Sequence, residues 1–590
     1  YNIGGTLQTY SDPMLFINNS IVTMAQNDIN VSDNGVAAYM SGNSEFKNWN
    51  RITLGQKSIG IYGNNSSLVS EGTLIEGTLQ KSRGIIGVNS NIRNSASIKM
   101  AGEESLGIYS GNTSGTLKNI DNSGNIEISG KKTVGIYLEG NSDQTVNNRG
   151  NITVHETTEP DRNNSTIGIY AKDGATVNII NEGQVNVGKK SVGIYSISDG
   201  NVTATNTALL NVSDEGIGIY KKGGTVNLGG TVNVADHISS ANDSEPVGVY
   251  GIDGVSIVNN ANTVNVGNKS YGVILSNPGM NTNRYVNSAG TSITLGEEST
   301  YLYSDGKAEI VNNGNITSPN NKIIAIYSKN GGYINNKGNI DLSTGIGNLG
   351  IYATGTGSYG VNEGTVKIGG TDNSDKDNII YGIGMVADRG AKIENRGNIQ
   401  ANTLKIKADR IDNIKGSISS SSALKIEAKS LSNKDRAVIG AAKSERLKEL
   451  SLDEGKDSFK TGVIPPSKNE LSIISADHIS NIGGAILSNE SYLDIKESLL
   501  NDNSLIVLRA LDSEIPNFYN LSGSTFIVQE GLSLRGNNLR NESSKIISLG
   551  GALLGYDSID NSKGSILSGG NLIINKGALN NEEGLISSKG

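Results

Sequence analysis

The sequence predicts an all-β protein: a right-handed parallel β-helix (solenoid) of about 20–24 rungs with extra-helical loops. Three observations predict it. A Gly-Ile-Tyr strand recurs down the chain. An Asn-x-Gly turn and a short alternating strand precede most copies. No 3.6-residue apolar period runs through this region.

The Gly-Ile-Tyr copies read "SIGIYG", "SLGIYS", "TVGIYL", "TIGIYA", "SVGIYS", "GIGIYK", "PVGVYG", "IIAIYS" and "NLGIYA". They end on Tyr62, Tyr109, Tyr137, Tyr170, Tyr195, Tyr220, Tyr250, Tyr327 and Tyr352, with looser copies near Tyr39, Gly87, Ile274, Tyr303 and Met385. Neighbouring copies lie roughly 23 to 33 residues apart, inside the range of solenoid repeats. Before them stand "NSGNIEISG", "NNRGNITV", "NEGQVNVG" and "NNKGNIDL". Asn and Gly both tolerate the positive φ of a turn. The aliphatic–polar alternation that follows is a half-buried strand. Such a unit cannot bury its apolar face alone, but stacked rungs can.

By the two-residue period of a strand, Val192 and Ile194 share one face of "SVGIYS", and Gly193 and Tyr195 the other. The aliphatic residue before each glycine (Ile59, Leu106, Val134, Ile167, Ile217, Val247) is therefore expected inside, and the tyrosines in an outward stack. A bulge would invert that. A stripe repeated along the whole array reads first as scaffold and second as a grip for sugar rings or a partner. The turn asparagines read as stacked amides.

Residues 1–400 carry this repeat of about 25 residues. Residues 401–590 carry a shorter one of about 20, as in "LKIKADRIDNIKGSISS" and "LIINKGALNNEEGLISS". Its register mark is Asn413, Asn433, Asn481, Asn501, Asn520, Asn541, Asn561 and Asn581. The long step between Asn433 and Asn481 holds residues 441–470, a charged stretch with Pro465-Pro466, read as an insertion that leaves the helix.

Lys and Arg number 50 against 58 Asp and Glu, a net charge of −8 with no basic stripe, which excludes nucleic-acid binding. There is no cysteine, hence no disulfide framework and no thiolate metal site. With 76 Gly but only 8 Pro, the chain is neither collagen-like nor Pro-rich disorder. No apolar run is long enough to span a membrane as a helix. The chain lacks an initiator Met and stops in mid-pattern, so it reads as a monomeric segment of a longer protein.

Function in a solenoid sits where the repeat breaks. Three repeats expand before the Gly-Ile-Tyr strand, at 155–164, 236–246 and 371–378. They offer His155, Glu156, Asp161, Arg162, Asp236, His237 and Asp243 as ligand-binding candidates. Residues 276–288 expand after that strand and offer Arg284 and Tyr285. The 441–470 insertion offers Arg446, Lys448, Lys456 and Lys460. Trp49, the single tryptophan, falls near a turn, as an exposed hot spot or as a cover for the end of the array.

Chemistry is sparse. His155, His237 and His478 are far apart, and no nucleophile elbow, phosphate loop or dinucleotide fingerprint occurs. No metal or cofactor is expected, and no catalytic residue. The alternative of a polysaccharide-cleaving β-helix needs carboxylates on neighbouring rungs, and the sequence alone lines up none.

The "GNIxI…SVGIY" repeats resemble the passenger regions of large fusobacterial type V autotransporter adhesins, and the "LxIxAxxLxNxxGxIxS" unit resembles filamentous-haemagglutinin-type repeats. Together they cover nearly the whole chain. The resemblance implies a bacterial cell-surface adhesin anchored in the outer membrane through a barrel outside this chain. It implies partners among host glycans such as Gal-GalNAc, immune-receptor ectodomains and other bacteria. A purely structural stalk that carries a binding tip elsewhere is the other non-enzymatic reading.

Overall fold

A computed structural model describes the chain except residues 1, 4–6, 10–12, 157–164, 181, 198, 241–242, 371–381, 442–471, 488–490 and 576, and describes the backbone alone at 2–3, 7–9, 402–403, 421–423, 441, 472 and 491–492. Two compact units divide it, Tyr1–Glu309 and Ile310–Gly590. Each is a parallel β-solenoid, and together they count about 21 turns. Among the described residues there is no helix.

In the first unit a typical rung has three strands, such as Ile167–Lys172, Thr176–Ile179 and Gln184–Val187. Each pairs in parallel with its counterpart one rung on. Val185 opposes Leu210, then Val232, Val264 and Ile293. Those side chains form one apolar column, each at most 6% exposed. Burying each such aliphatic contributes about 1.5–3 kcal/mol. Ordering each backbone residue opposes it by about 1–2 kcal/mol. The balance turns favourable only with neighbours above and below.

The Gly-Ile-Tyr wall departs from simple alternation. Tyr62, Tyr109, Tyr137, Tyr170, Tyr195, Tyr220 and Tyr250 face outward as expected. The aliphatic before the glycine does not lie fully inside: Ile59, Leu106, Ile167, Val192 and Ile217 are half-buried, while Val134 and Val247 are buried. The cause is a kink at the glycine. Gly193 and Ile194 are both interior, and pairing runs Val192–Ile217, Ile194–Ile219, with the glycines left out of register. A Cβ on Gly193 would come within 2.6 Å of the Gly218 carbonyl oxygen and 2.7 Å of Val187 Cγ2, so glycine is favoured in this rung, although Ala37, Ala325 and Tyr301 fill the equivalent position in others.

The corner before this wall uses charged residues in the left-handed region. Lys57, Lys81, Glu104, Lys132, Lys190, Glu215, Lys269 and Glu298 have φ between 52° and 60°. Each such residue costs roughly 1–2 kcal/mol relative to glycine. Rung-to-rung bonds offset it: Lys81 N–H donates to the Glu103 carbonyl at 2.8 Å and Lys269 N–H to Glu297 at 2.8 Å. Exposed pairs such as Lys81–Glu104 at 3.4 Å and Lys269–Glu298 at 3.7 Å line the corner and add little.

In the second unit the rung shortens. The 17-residue strand Asn398–Ile414 runs beside three strands of the previous rung, Thr365–Gly370, Ile383–Asp388 and Lys392–Asn395. Corner loops become bends in one strand. An amide ladder, buried from Asn312 to Asn561 and ending on the exposed Asn581, runs Asn312, Asn336, Asn362, Asn395, Asn413, Asn433, Asn481, Asn501, Asn520, Asn541, Asn561, Asn581, each Nδ2 donating to the next Oδ1 at 2.6–2.8 Å. A shorter ladder, Asn94–Asn122–Asn148, lies in the first unit. Stacked amides thus hold the turns, as the sequence indicates.

Candidate functional site

Six consecutive tyrosines of the first unit stack on one wall. Tyr109, Tyr137, Tyr170, Tyr195, Tyr220 and Tyr250 have ring centroids 4.7–5.8 Å apart and planes within 16° of parallel. The faces cover one another, so ring edges and hydroxyls are what the wall presents. The strand that carries each ring ends at a corner, and an acid followed by glycine recurs there: Glu139-Gly140, Asp173-Gly174, Asp199-Gly200 and Asp253-Gly254.

Glu139 ties this edge to the ladder. Its carboxylate accepts from Tyr109 Oη at 2.7 Å and from Tyr137 Oη at 3.0 Å. Burial, then the bond to Glu139, pushes the Tyr109 phenol up to about 12, and the same causes raise Tyr137. Asp173 accepts from Gly140 N–H at 3.2 Å, which links acids on consecutive rungs. Two clefts open along this edge. One is lined by Tyr109, Asn112, Glu139, Asn141, Lys172 and Asp173, the other by Tyr195, Asp199, Tyr220, Lys222, Asp253 and Asn281. Both combine a ring edge, two carboxylates, an ammonium group and an amide, a set suited to a hydroxyl-rich or cationic ligand.

The opposite corner carries His155 and His237. His155 is exposed and its Nε2 lies 3.0 Å from Glu127 Oε1, with Lys99 Nζ at 3.4 Å from the same oxygen. Burial works to raise the Glu127 carboxyl, but His155 and Lys99 outweigh it and hold it below its ordinary range. Glu156 is exposed. His237 is half-buried with its ring enclosed: Nδ1 lies 2.8 Å from Asp214 Oδ1. Asp214 Oδ2 accepts from Ser239 N–H at 3.0 Å and Ser239 Oγ at 2.5 Å. Burial alone would raise Asp214, and the Ser239 and His237 bonds bring it below its ordinary value. Asp236 accepts from Asn268 N–H at 2.7 Å, and Asp243 accepts from Ser240 N–H at 3.1 Å. These acids build the loop.

Two candidates are placed otherwise than the sequence suggests. Trp49 is 1% exposed, inside the strand Asn43–Leu54 and not on a turn. A bulge between Lys47 and Trp49 turns the ring inward opposite Gly72, where a Cβ would overlap it, and Phe46 lies 6.1 Å away. Tyr285 is also 1% exposed. Its strand Asn283–Asn287 resumes the rung early, and its hydroxyl meets those of Tyr301 and, through Nδ2, Asn259. Enclosed rings offer a partner no face. Arg284, on the outer face of the same strand, pairs with Glu309 at 2.8 Å. Asp161, Arg162, Arg446, Lys448, Lys456 and Lys460, and the 371–378 and 441–470 stretches but for Ala441, lie outside the described residues. Among the described residues no group of three His, Cys, Asp or Glu could hold a metal.

Sequence reasoning missed the acid–glycine edge, although the pair that recurs after the strands of Tyr137, Tyr170, Tyr195 and Tyr250 was its signal. It also missed Lys221, buried at the interior position that Ser196 and Gly251 occupy in adjacent rungs.

Rung-stacked parallel strands define the class, a β-solenoid. Residues 284–440 match the family model described as the BigA third pectate lyase-like domain. BigA is a bacterial surface protein, and the match supports a surface β-helical protein. No match was found among curated proteins or solved structures.

Proposed function

We propose that this chain is a non-enzymatic adhesive segment of a bacterial surface protein, held at the outer membrane through a barrel outside the chain. The observation that carries the reading is the outer wall of the first unit: six stacked tyrosines edged by Glu139, Asp173, Asp199 and Asp253. A spacer needs the stack for cover, but it does not need two clefts with converging carboxylates, amides and hydroxyls. The partners this surface suits are host glycans such as Gal-GalNAc, immune-receptor ectodomains and other bacteria. The test is binding of the purified chain to a glycan array, a receptor panel and whole bacterial cells. Specific capture that Glu139→Gln/Asp173→Asn weakens supports adhesion. A blank from a folded chain supports a stalk.

A second reading has its own observation. Glu139 and Asp173 stand on consecutive rungs at one corner, which is the carboxylate arrangement a polysaccharide-cleaving β-helix needs. Release of reducing ends from pectate or another acidic polysaccharide, abolished by Glu139→Gln, would favour an enzyme. Intact polymer after prolonged incubation would favour the adhesin.

A further inference from the structure

Large apolar side chains left in water are scattered over the described surface, and two stand out. Met280 is 91% exposed and Ile238 83%. Neither lies on a rung. Ile238 belongs to the loop between the strands Thr231–Val234 and Val247–Ile252. Met280 follows the strand Tyr271–Ser276, the parallel neighbour of Val247–Ile252, with Tyr250 opposite Ile274. One loop therefore enters this wall at the start of one strand, and the other leaves it at the end of the next.

The Ile238 tip is held by hydrogen bonds at its base, and the Met280 tip by close packing. His237 and Ser239, on either side of Ile238, are tied to Asp214 at 2.8 and 2.5 Å. Beside Met280, Gly279 packs so closely on the Asp253 carboxylate that a Cβ there would collide with it. A tip fixed in water retains its apolar exposure, so ordering it on binding carries little further entropic cost. Between the tips the ring stack ends. Tyr250 stacks on Tyr220 at 5.6 Å, and Ile274 takes the place of the next tyrosine. The floor is thus apolar where the rest of the wall shows ring edges.

The surroundings are acidic. Asp243 and Glu245 stand on the first loop, and Glu245 faces Tyr271 closely enough to help burial raise its phenol. Asp199 and Asp253 line the other edge. Two ammonium groups of these rungs are engaged, Lys222 with Asp253 at 3.9 Å and Lys269 with Glu298 at 3.7 Å.

We propose that the Tyr250–Ile274 stretch, bracketed by Ile238 and Met280, is a docking surface for a basic, apolar protein segment, one that carries lysine or arginine beside aliphatic side chains. The proposal rests on the adhesive reading and names a class of partner for it. An extended segment of about six residues covers a strand of this length. Its aliphatics would meet the two tips and the floor, and its cations the acidic edges. Apolar anchors ringed by charge are the usual anatomy of a hot spot.

The experiment immobilises the full chain and measures its affinity for three twelve-residue peptides of alternating Lys-Leu, Glu-Leu and Lys-Ser. The Lys-Leu peptide is expected to bind, the Lys-Ser peptide more weakly and the Glu-Leu peptide not at all. Ile238→Ser/Met280→Ser should lower Lys-Leu affinity about ten-fold or more with an unchanged β spectrum. The control Leu79→Ser/Leu117→Ser, which removes exposed apolar groups elsewhere in the unit, should leave it unchanged. Equal affinity in the tip variant, preference for the Glu-Leu peptide, or self-association that the tip variant abolishes while peptide binding stays absent would each overturn the proposal. The two readings fail separately. If glycan or cell capture survives the tip variant, adhesion stands without this surface. If the peptide result holds while every host and bacterial target is blank, the surface stands without adhesion to them.

Discussion

Asn433 donates through Nδ2 to Asn481 Oδ1 at 2.8 Å although 48 residues separate them. Elsewhere in this repeat the same bond joins asparagines 20 residues apart, as in Asn413–Asn433. The strand Ser417–Lys434 continues directly onto Ser472–Ile482, with Leu431 opposite Ile479. The 441–470 stretch therefore interrupts the chain but not the stack. Rung order is kept by the ladder, whatever the sequence separation of the rungs.

Each ladder amide donates both ways, to the next asparagine and to turn carbonyls: Asn481 Nδ2 also reaches the Leu505 carbonyl at 3.1 Å. Asn481→Asp keeps the acceptor for Asn433 but loses both donors and adds a buried charge. We expect it to destabilise local structure by about 3 kcal/mol or more, against about 1–3 kcal/mol for Asn481→Ala. Amide exchange in the rungs on either side measures this. The Asp variant should exchange faster than the Ala variant, and distant rungs should be unaffected.

At the glycine kink, Gly193→Ala drives a methyl against the Gly218 carbonyl and Val187. The expected loss is about 1–3 kcal/mol, the usual scale of overpacking. Gly531, whose added Cβ would meet nothing within 4 Å, is the control, and Gly531→Ala should be neutral or slightly stabilising. Urea unfolding midpoints of the two variants decide it.

How much was legible follows from what each residue needs. The ladder asparagines could be read because one residue type must recur at the rung length. Outward tyrosines could be read because a strand alternates. Trp49 could not, since the single extra residue of the bulge at Lys47 brings this odd-numbered side chain inward between the even-numbered Phe46 and Ile52. Nor could the half-burial of Ile59 and Ile217, which comes from a glycine backbone that steps inward. The Asp214–His237 pair joins loops on different rungs, and no spacing rule links them.

Lys221 gives a pH test with a definite sign. It is fully buried, and burial lowers its ammonium to about 8 from 10.5. Below pH 8 both folded and unfolded chains hold the proton, so the penalty, about 3 kcal/mol, is present in full. Between pH 8 and the unfolded value the folded chain releases its proton first, and stability rises with pH. Lys221→Met should therefore be more stable at pH 7 by about 1–3 kcal/mol, and the gap should shrink by pH 9.5. The difference in urea midpoint between the two proteins at each pH isolates this residue, because the tyrosines titrate alike in both.

Asp214 behaves oppositely. Its carboxyl lies below its ordinary value in the folded chain, despite burial, because Ser239 and His237 bond it. The stability it contributes is thus present above the ordinary carboxylate range and is lost as pH falls through the lower folded value. The Ser239 amide reports it, since that N–H donates to Asp214 Oδ2. Asp214→Asn replaces a charged acceptor by a neutral one and is expected to speed exchange at Ser239 about ten-fold or more at pH 6, where loss of a charge-assisted bond is worth about 1.5–3 kcal/mol. The rung strand Thr231–Val234 should keep its protection, because its N–H groups bond within the sheet. Equal exchange in the variant would mean that the loop does not depend on this carboxylate, and Ile238 would then lose the anchor that holds it in water.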